Sequence, residues 1–336
     1  MIGTYVGYVD GADRLHDFLS GVMRDQLGMR EAHPAFRAFR LTGSNEVYGY
    51  EEKFTRTRLI CKFYGSTFGW DRDRAMRAAY REFDGLNRLR GFGLDGSPHH
   101  VIRPLAVDRD TNAVLAVEYF GGEPFSHAIS RATRDGDATH LYWRLTALAY
   151  FLATQHNRTA NGLTVDFDVD GRYFEGLVRR LQARSGLGQW DAEELLWLRD
   201  LWRGRPRMWQ DRQVWLHGDA TPANFLFGHG LDVAAIDLER VTRGDRMFDV
   251  GRVVGELQHS FMSATGDRYS AEPFIGHFLW EYACHFPDRE AAFGSITSRA
   301  PFYMALNLLR IARNDYVGTD YRHQLVSQAK RLLRAS

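Results

Sequence analysis

Residues 214–251 read VWLHGDATPANFLFGHGLDVAAIDLERVTRGDRMFDVG. Val214, Trp215 and Leu216 make a short apolar strand that delivers His217, Gly218 and Asp219, and Asn224 follows five residues after Asp219. Two further apolar runs, 225–227 and 233–236, flank Gly228-His229-Gly230, which reads as a hairpin turn. Asp237 ends the second run. A hairpin brings its two ends together, so Asn224 and Asp237 are expected to be neighbours, with Asp219 one loop away. An Asp, an Asn and a second Asp converging beside a cleft supply hard oxygen ligands of the kind Mg²⁺ takes. Phosphoryl transfer uses such a set, with metal to neutralise phosphates and an Asp to orient the attacking hydroxyl and accept its proton. Taken singly, Asp219 and Asn224 are also ordinary turn-capping residues. Their spacing between apolar strands is what favours chemistry.

Upstream of this stretch the pattern is strand-like. Residues 36–41, 47–54 and 58–64 are predicted strands, separated by turns at 42–45 and 55–57. A helix is predicted over 71–90, a loop over 91–98, and strands over 101–107 and 113–119, the last ending at Gly121-Gly122. Before them, Leu15, Phe18, Leu19, Val22 and Met23 recur at helical spacing within 12–28. Beyond residue 121 the chain is helical except for the β segment 214–238. Helices are predicted at 140–156, 173–184, 192–202, 247–261, 272–285, 301–315 and 321–333. This order implies an α+β, two-lobed fold. It consists of an N-terminal helical extension over 1–35, a small antiparallel β-rich lobe over 36–120, and a larger helical lobe over 121–336.

The bulk composition excludes several classes. The chain has 336 residues, with 43 Lys plus Arg against 42 Asp plus Glu, 44% apolar residues and 25% charged residues. That is the composition of an ordinary globular protein, and its balanced charge gives no field for general nucleic-acid binding. No apolar run approaches the roughly 18–20 residues of a membrane helix. The first residues lack a basic segment followed by an apolar core, so no signal peptide is expected. Cys61 and Cys284 lie too far apart in sequence to suggest a disulfide framework or a zinc site, and a reducing cytoplasm is the expected setting. Only Lys53, Lys62 and Lys330 are lysines; the other 40 cations are arginines. Genome composition can produce that bias, yet the two side chains are not equivalent, so each lysine merits a position.

His217-Gly218-Asp219 with Asn224, followed by Ile236-Asp237-x-Glu239, resembles the catalytic signature of the aminoglycoside phosphotransferase and choline kinase families, which share a two-lobed protein-kinase-like fold. Gly244-Asp245-Arg246-Met247-Phe248-Asp249 resembles their G-D-x-x-F-D stretch. The resemblance covers roughly residues 36–256. It implies Asp219 as the catalytic base, His217 as organiser of its loop, Asn224 and Asp237 as Mg²⁺ ligands, and ATP as the phosphoryl donor. Asp249 either bonds back to the catalytic loop or caps a helix N-terminus.

A kinase-like small lobe also needs a phosphate loop, a strand lysine and a helix glutamate. Gly43, Ser44 and Asn45 sit between the first two strands, where backbone N–H groups can meet phosphate oxygens. The segment is otherwise an ordinary turn and lacks G-x-G-x-x-G. Lys62 is a charge inside the apolar strand LICKFY, costly there unless paired. Alternation places it on one face with Ile60 and Tyr64, read as the cleft side, unless the strand is a solvated edge. Glu82 interrupts an apolar helical stripe of Ala75, Ala79, Phe83 and Leu86. A core-facing Glu wants a partner, and the resemblance implies an ion pair with Lys62; flanking Arg81 and Arg88 leave a surface reading open. Residues 114–122 resemble the connector between lobes. There the Glu118 C=O and the Phe120 N–H would meet adenine, with Val47, Ile60 and Val117 as apolar walls. A strand end followed by a Gly-Gly turn is the plainer alternative.

The activity these features imply is ATP- and Mg²⁺-dependent transfer of the γ-phosphate to a hydroxyl of a small molecule: a sugar, an amino alcohol or an aminoglycoside-like acceptor. A protein Ser/Thr kinase is disfavoured by His-Gly-Asp in place of His-Arg-Asp, and by the eleven residues between Asp237 and Asp249, too few for a long activation segment. A catalytically inactive, kinase-like nucleotide-binding protein is disfavoured by the presence of base, metal ligands and lysine together. The Arg179-Arg180 and Arg203/Arg205/Arg207 clusters are interspersed with acidic residues and carry no nucleic-acid motif. Nothing points to an oligomeric state. From Arg240 onward there are 13 Lys/Arg and 10 Asp/Glu, so no acidic bias suits a polycation. Trp280, Tyr282, Phe286, Phe302 and Tyr303 make either a cage for a quaternary ammonium or helix core.

Overall fold

Alternate residues along 58–63 divide between two faces of a sheet. The structure is a computed structural model describing residues 3–41 and 46–335. It divides into two units, Met1–Gly121 with Ala234–Arg240, and Gly122–Val233 with Val241–Ser336. The architecture is α+β, with the sheet in the first unit and most helices in the second.

The first unit comprises β1 (Thr4–Tyr8), α1 (Arg14–Leu27), β2 (Phe36–Arg40), β3 (Glu46–Glu52), β4 (Arg58–Phe63), α2 (Arg72–Arg90), the short strands β5 (Asp95–Gly96) and β6 (His99–Val101), β7 (Pro104–Asp108) and β8 (Val114–Glu118). Six strands form an antiparallel sheet in the order β1-β2-β3-β4-β8-β7. Leu59, Cys61 and Phe63 of β4 are buried in a core with Leu19, Val22 and Met23 of α1. Period-two alternation turns Ile60 and Lys62 to the other face. Asp13 and Asp71 cap the N-termini of α1 and α2 by accepting from Leu15 N–H and Arg74 N–H.

Residues 1–35 differ from the helical extension expected. β1 is the edge strand of the sheet, and α1 is part of its core. The strand carried no buried-face signal because Tyr5, Val6 and Tyr8 are all about half exposed.

The second unit begins with β9 (Glu123–Pro124), α3 (Phe125–Asp135), α4 (Ala138–Thr159), α5 (Phe167–Ser185) and α6 (Gln189–Arg203). It continues with β10 (Gln213–Leu216) and β11 (Phe225–Phe227); the chain leaves for the first unit within β12 (Val233–Ala235). It returns for β13 (Thr242–Asp245), α7 (Met247–Thr265), α8 (Glu272–Ala283), α9 (Arg289–Ala312) and α10 (Thr319–Arg334). Helix α9 runs through Pro301, a residue whose fixed φ suits a helix start, which is why the sequence placed the beginning of this helix there. Helices α7 and α9 meet at two glycines. A Cβ at Gly251 would lie 2.1 Å from Tyr303 Cβ, and one at Gly255 would lie 2.8 Å from Asn307 Cβ, so no larger residue fits between these backbones.

Three of the five aromatics considered for an ammonium cage serve the core instead, while Trp280 and Phe286 are only partly buried. Tyr282, Phe302 and Tyr303 are fully or almost fully buried. Phe302 packs among Phe167, Phe174 and Trp202, Trp280 packs on Phe293, and Phe286 packs on Tyr282. The Tyr303 hydroxyl lies 2.9 Å from Asp170 Oδ2 and 3.0 Å from Asp245 Oδ2, while Arg299 reaches Asp245 at 2.7 Å and Asp211 at 2.5 Å.

Burial, with the charge of Asp245 added, pushes the Asp170 carboxyl up to about 7 from an ordinary 3.8. Between about pH 4 and pH 7 the folded chain holds a proton there that the unfolded chain has lost. The contribution of this group to stability is therefore complete below about pH 4 and falls as pH rises towards 7. At about 1.4 kcal/mol per pH unit, the decline amounts to a few kcal/mol. Urea unfolding at pH 4.5 and pH 7 is expected to show it, and Asp170→Asn is expected to flatten it. An unchanged pH slope in that variant refutes the assignment.

Candidate active site

In the first unit, β4 presents Lys62 to α2. Lys62 Nζ donates to Glu82 Oε1 at 2.5 Å and to Asp237 Oδ1 at 2.7 Å. Both Lys62 and Glu82 are buried, and the Tyr64 hydroxyl donates to Glu82 Oε2. A buried ammonium without partners would neutralise. Here burial favours the neutral amine, but the Glu82 and Asp237 carboxylates outweigh it and hold the pKa above the usual lysine value. Lys62 is therefore a fixed cation at neutral pH.

Asp237 adopts a left-handed backbone, φ 62°. Non-glycine residues rarely do so, and Asp is among those that tolerate it. Glu82, Asp237 and Glu239 bring carboxylate oxygens within 4.8 Å of one another. Burial and the neighbouring charge of Asp237 raise the Glu239 pKa. Three carboxylates around one ammonium, with the Asp237 and Glu239 side chains each about a quarter exposed, form a hard-oxygen set that suits a divalent cation.

Val47 and Leu115 are the cross-strand partners of Lys62, and Val117 is the partner of Ile60. Cross-strand partners share a face, so the expected apolar walls Val47, Ile60 and Val117 lie on the Lys62 side of the sheet. Glu118 ends β8. Its carboxylate accepts from Arg103 N–H at 2.5 Å and meets His100 Nε2 at 2.8 Å. Burial opposes its ionisation, but these partners hold its pKa below the ordinary value. The Phe120 ring packs against His100. Gly43, Ser44 and Asn45 lie outside the described residues.

In the second unit, β10 pairs with β13 and carries the chain into His217-Gly218-Asp219. Gly218 has φ 78°, a conformation glycine adopts without strain. The buried Asp249, in the first turn of α7, accepts from His217 N–H at 2.7 Å and Gly218 N–H at 3.0 Å. His156 Nε2 lies 3.3 Å from the same carboxylate, and its Nδ1 lies 2.8 Å from the Tyr282 hydroxyl. Of the two roles open to Asp249, bonding back to the loop is the one found; the N-cap position of α7 belongs to Arg246. Burial raises the Asp249 pKa, and His156 together with the loop amides brings it below the usual range. The loop is thus anchored on a permanent anion. His217, itself fully buried, accepts from Asp219 N–H through Nδ1 at 3.3 Å. Asn224 Nδ2 donates to the Asp219 carbonyl at 2.8 Å, which leaves Oδ1 as the side chain's acceptor.

One contact was not foreseen. Arg252, buried on α7, donates from Nη1 to Asp219 Oδ1. Its only sequence signal was a position three residues after Asp249, on the same helix face, and it was one arginine among 40. The other two lysines divide. Lys53 lies over the ring of Phe54. Lys330 is buried and pairs with Glu194 at 2.8 Å and with Asp191, so it is a structural cation.

A family model described as the phosphotransferase enzyme family matches residues 36–285. No curated protein matches the sequence. Among solved structures, an ethanolamine kinase from Plasmodium vivax aligns with a TM-score of 0.61 at 12% identity, over 97% of this chain and 95% of that one. A choline kinase from Streptococcus pneumoniae aligns at 0.54 and 14% identity, over 96% and 100%. The GDP complex of aminoglycoside 2′-phosphotransferase-IIIa aligns at 0.57 and 12%, over 95% and 99%. At these identities the likeness concerns the fold, which is the two-lobed protein-kinase-like one.

Proposed function

The chain belongs to the phosphotransferase enzyme family, and from that premise we propose that it is a small-molecule kinase, moving the γ-phosphate of ATP to an acceptor hydroxyl with Mg²⁺. The observation that carries this reading is Lys62, a buried, permanently charged lysine bonded to both Glu82 and Asp237. Its ammonium bridges the α2 glutamate and Asp237, so a positive charge that can meet phosphate oxygens stands beside an oxygen proposed to hold the cation.

In this reading Asp219 accepts the proton of the acceptor hydroxyl as the bond to phosphorus forms. His217 and Asp249 keep the loop carrying it rigid. Lys62, fixed by Glu82, pairs with nucleotide phosphates. Asp237 and the Oδ1 of Asn224 are the oxygens that would hold Mg²⁺. A bound divalent cation supplies charge neutralisation for the phosphates. The adenine ring would lie against Val47, Ile60 and Val117, with backbone bonds from Glu118 and Phe120, and Gly43, Ser44 and Asn45 are proposed to cover the phosphates. Such catalysis consists of positioning and charge stabilisation, with no covalent step on the protein. The structures named above are, by name, an ethanolamine kinase, a choline kinase and an aminoglycoside phosphotransferase, and the acceptor class proposed here is likewise a small hydroxylated compound.

The test is ADP release by the purified protein with ATP and Mg²⁺ against sugars, amino alcohols, nucleosides and aminoglycosides. Release that needs both Mg²⁺ and at least one acceptor is expected. No acceptor-dependent release, together with no thermal shift from nucleotide, would leave a kinase-shaped protein without catalysis.

A further inference from the structure

Arg252 is 2% exposed, and its Nη1 meets Asp219 Oδ1, while Phe248 packs over its charged carbon at 4.9 Å. Asp219 is the more accessible partner, with its side chain 15% exposed. A buried cation placed on a partly accessible carboxylate acts on whatever approaches that carboxylate. The carboxylates of the same helix that flank Arg252 are already engaged. Asp249 holds the loop amides, and Glu256 accepts from Arg310 at 2.5 Å and from Asn307 at 3.2 Å. Around the base, then, α7 presents a positive charge and no spare negative one to receive an ammonium group.

Resting on the kinase reading, we propose that Arg252 is a positioning and specificity-determining residue: it fixes the Asp219 carboxylate and makes the site select uncharged hydroxyl acceptors over cationic ones. The positioning part follows from geometry. One Asp219 oxygen is held by the guanidinium, so the carboxylate keeps one orientation towards the hydroxyl it deprotonates. The selectivity part follows from charge. An ammonium one or two carbons from the reacting hydroxyl would come close to a guanidinium that little water screens, whereas an amide at the same position would not be repelled.

The experiment compares matched acceptors that differ by one charge: ethanolamine with N-acetylethanolamine, and glucosamine with N-acetylglucosamine. ADP release is measured with the wild-type chain, R252Q and R252K, each checked by its melting curve. The wild type is expected to favour the acetylated member of a pair. R252Q is expected to raise the kcat/KM ratio of cationic to neutral acceptor by about tenfold, from loss of charge repulsion, and to lower kcat by roughly 10²-fold, from loss of orientation. R252K keeps the charge without the planar fork, so it is expected to keep the wild-type selectivity while losing part of kcat. A kcat loss in R252Q with the ratio unchanged overturns the specificity role. If R252Q does not fold, a wild-type preference for the cationic member overturns it directly. A wild type that transfers phosphate to none of these acceptors, and hydrolyses no ATP in a manner dependent on Asp219, removes the kinase reading itself.

Discussion

Asp219→Asn is expected to lower phosphoryl transfer by roughly 10²–10⁴-fold, the range ascribed to a positioned general base, while nucleotide binding persists. The residue is partly accessible, its backbone N–H is bound by His217 Nδ1, and its carbonyl by Asn224. The loop geometry therefore does not depend on the carboxylate. Its side chain does have a second task, which makes the choice of variant matter. Asp219→Ala strips the partner from the buried Arg252, and uncovering one half of a buried pair costs about 3–5 kcal/mol. Asn keeps an oxygen to accept from Arg252 while removing the basicity together with the negative charge, so it disturbs the buried pair less than Ala does. Steady-state kcat at saturating ATP and acceptor, read beside the nucleotide-induced thermal shift, separates the two effects. Full turnover in Asp219→Asn would mean that another group accepts the proton.

Asp237→Asn should abolish the Mg²⁺ dependence of nucleotide binding and lower kcat by roughly 10³-fold, the scale of losing one preorganised electrostatic contact. Asn is the appropriate substitution because it shares with Asp a tolerance for the left-handed backbone seen at φ 62°; alanine would add strain to the loss of charge. Lys62 keeps Glu82 in this variant, so the first unit should remain folded. Thermal shift with ATP, with and without Mg²⁺, gives the result. A metal-dependent shift equal to that of the wild type would assign the cation elsewhere.

These residues were legible in the sequence because each broke a pattern. Lys62 and Glu82 stood where apolar alternation and an apolar helical stripe called for something else, and a buried charge demands a partner. The turn chemistry of His217 to Asn224 stood out between apolar strands. Where no pattern was broken, the reading failed. Arg252 had nothing to distinguish it on a helix and in a chain rich in arginine. Lys330 interrupts no apolar run that would single it out, yet it holds two carboxylates of α6. β1 was missed because an edge strand with exposed tyrosines has no buried face to reveal it. Asp249 could be read either way, since an Asp in a first helical turn suits a cap as well as an anchor, and only the bonds to His217 and Gly218 decide.

The contacts of α7 have a consequence for how this chain can change in length. Within three turns the helix carries the Asp249 anchor, the Gly251 and Gly255 contacts with α9, and the Arg252 partner of the base. Each residue inserted in a helix turns all later side chains by about 100°. A single insertion or deletion between Asp249 and Gly255 would thus rotate some of these groups away while leaving others in place, and no compensating shift of the whole helix restores both sets. Natural relatives are therefore expected to vary in length before Thr242 or beyond Thr265, and to keep this interval free of gaps.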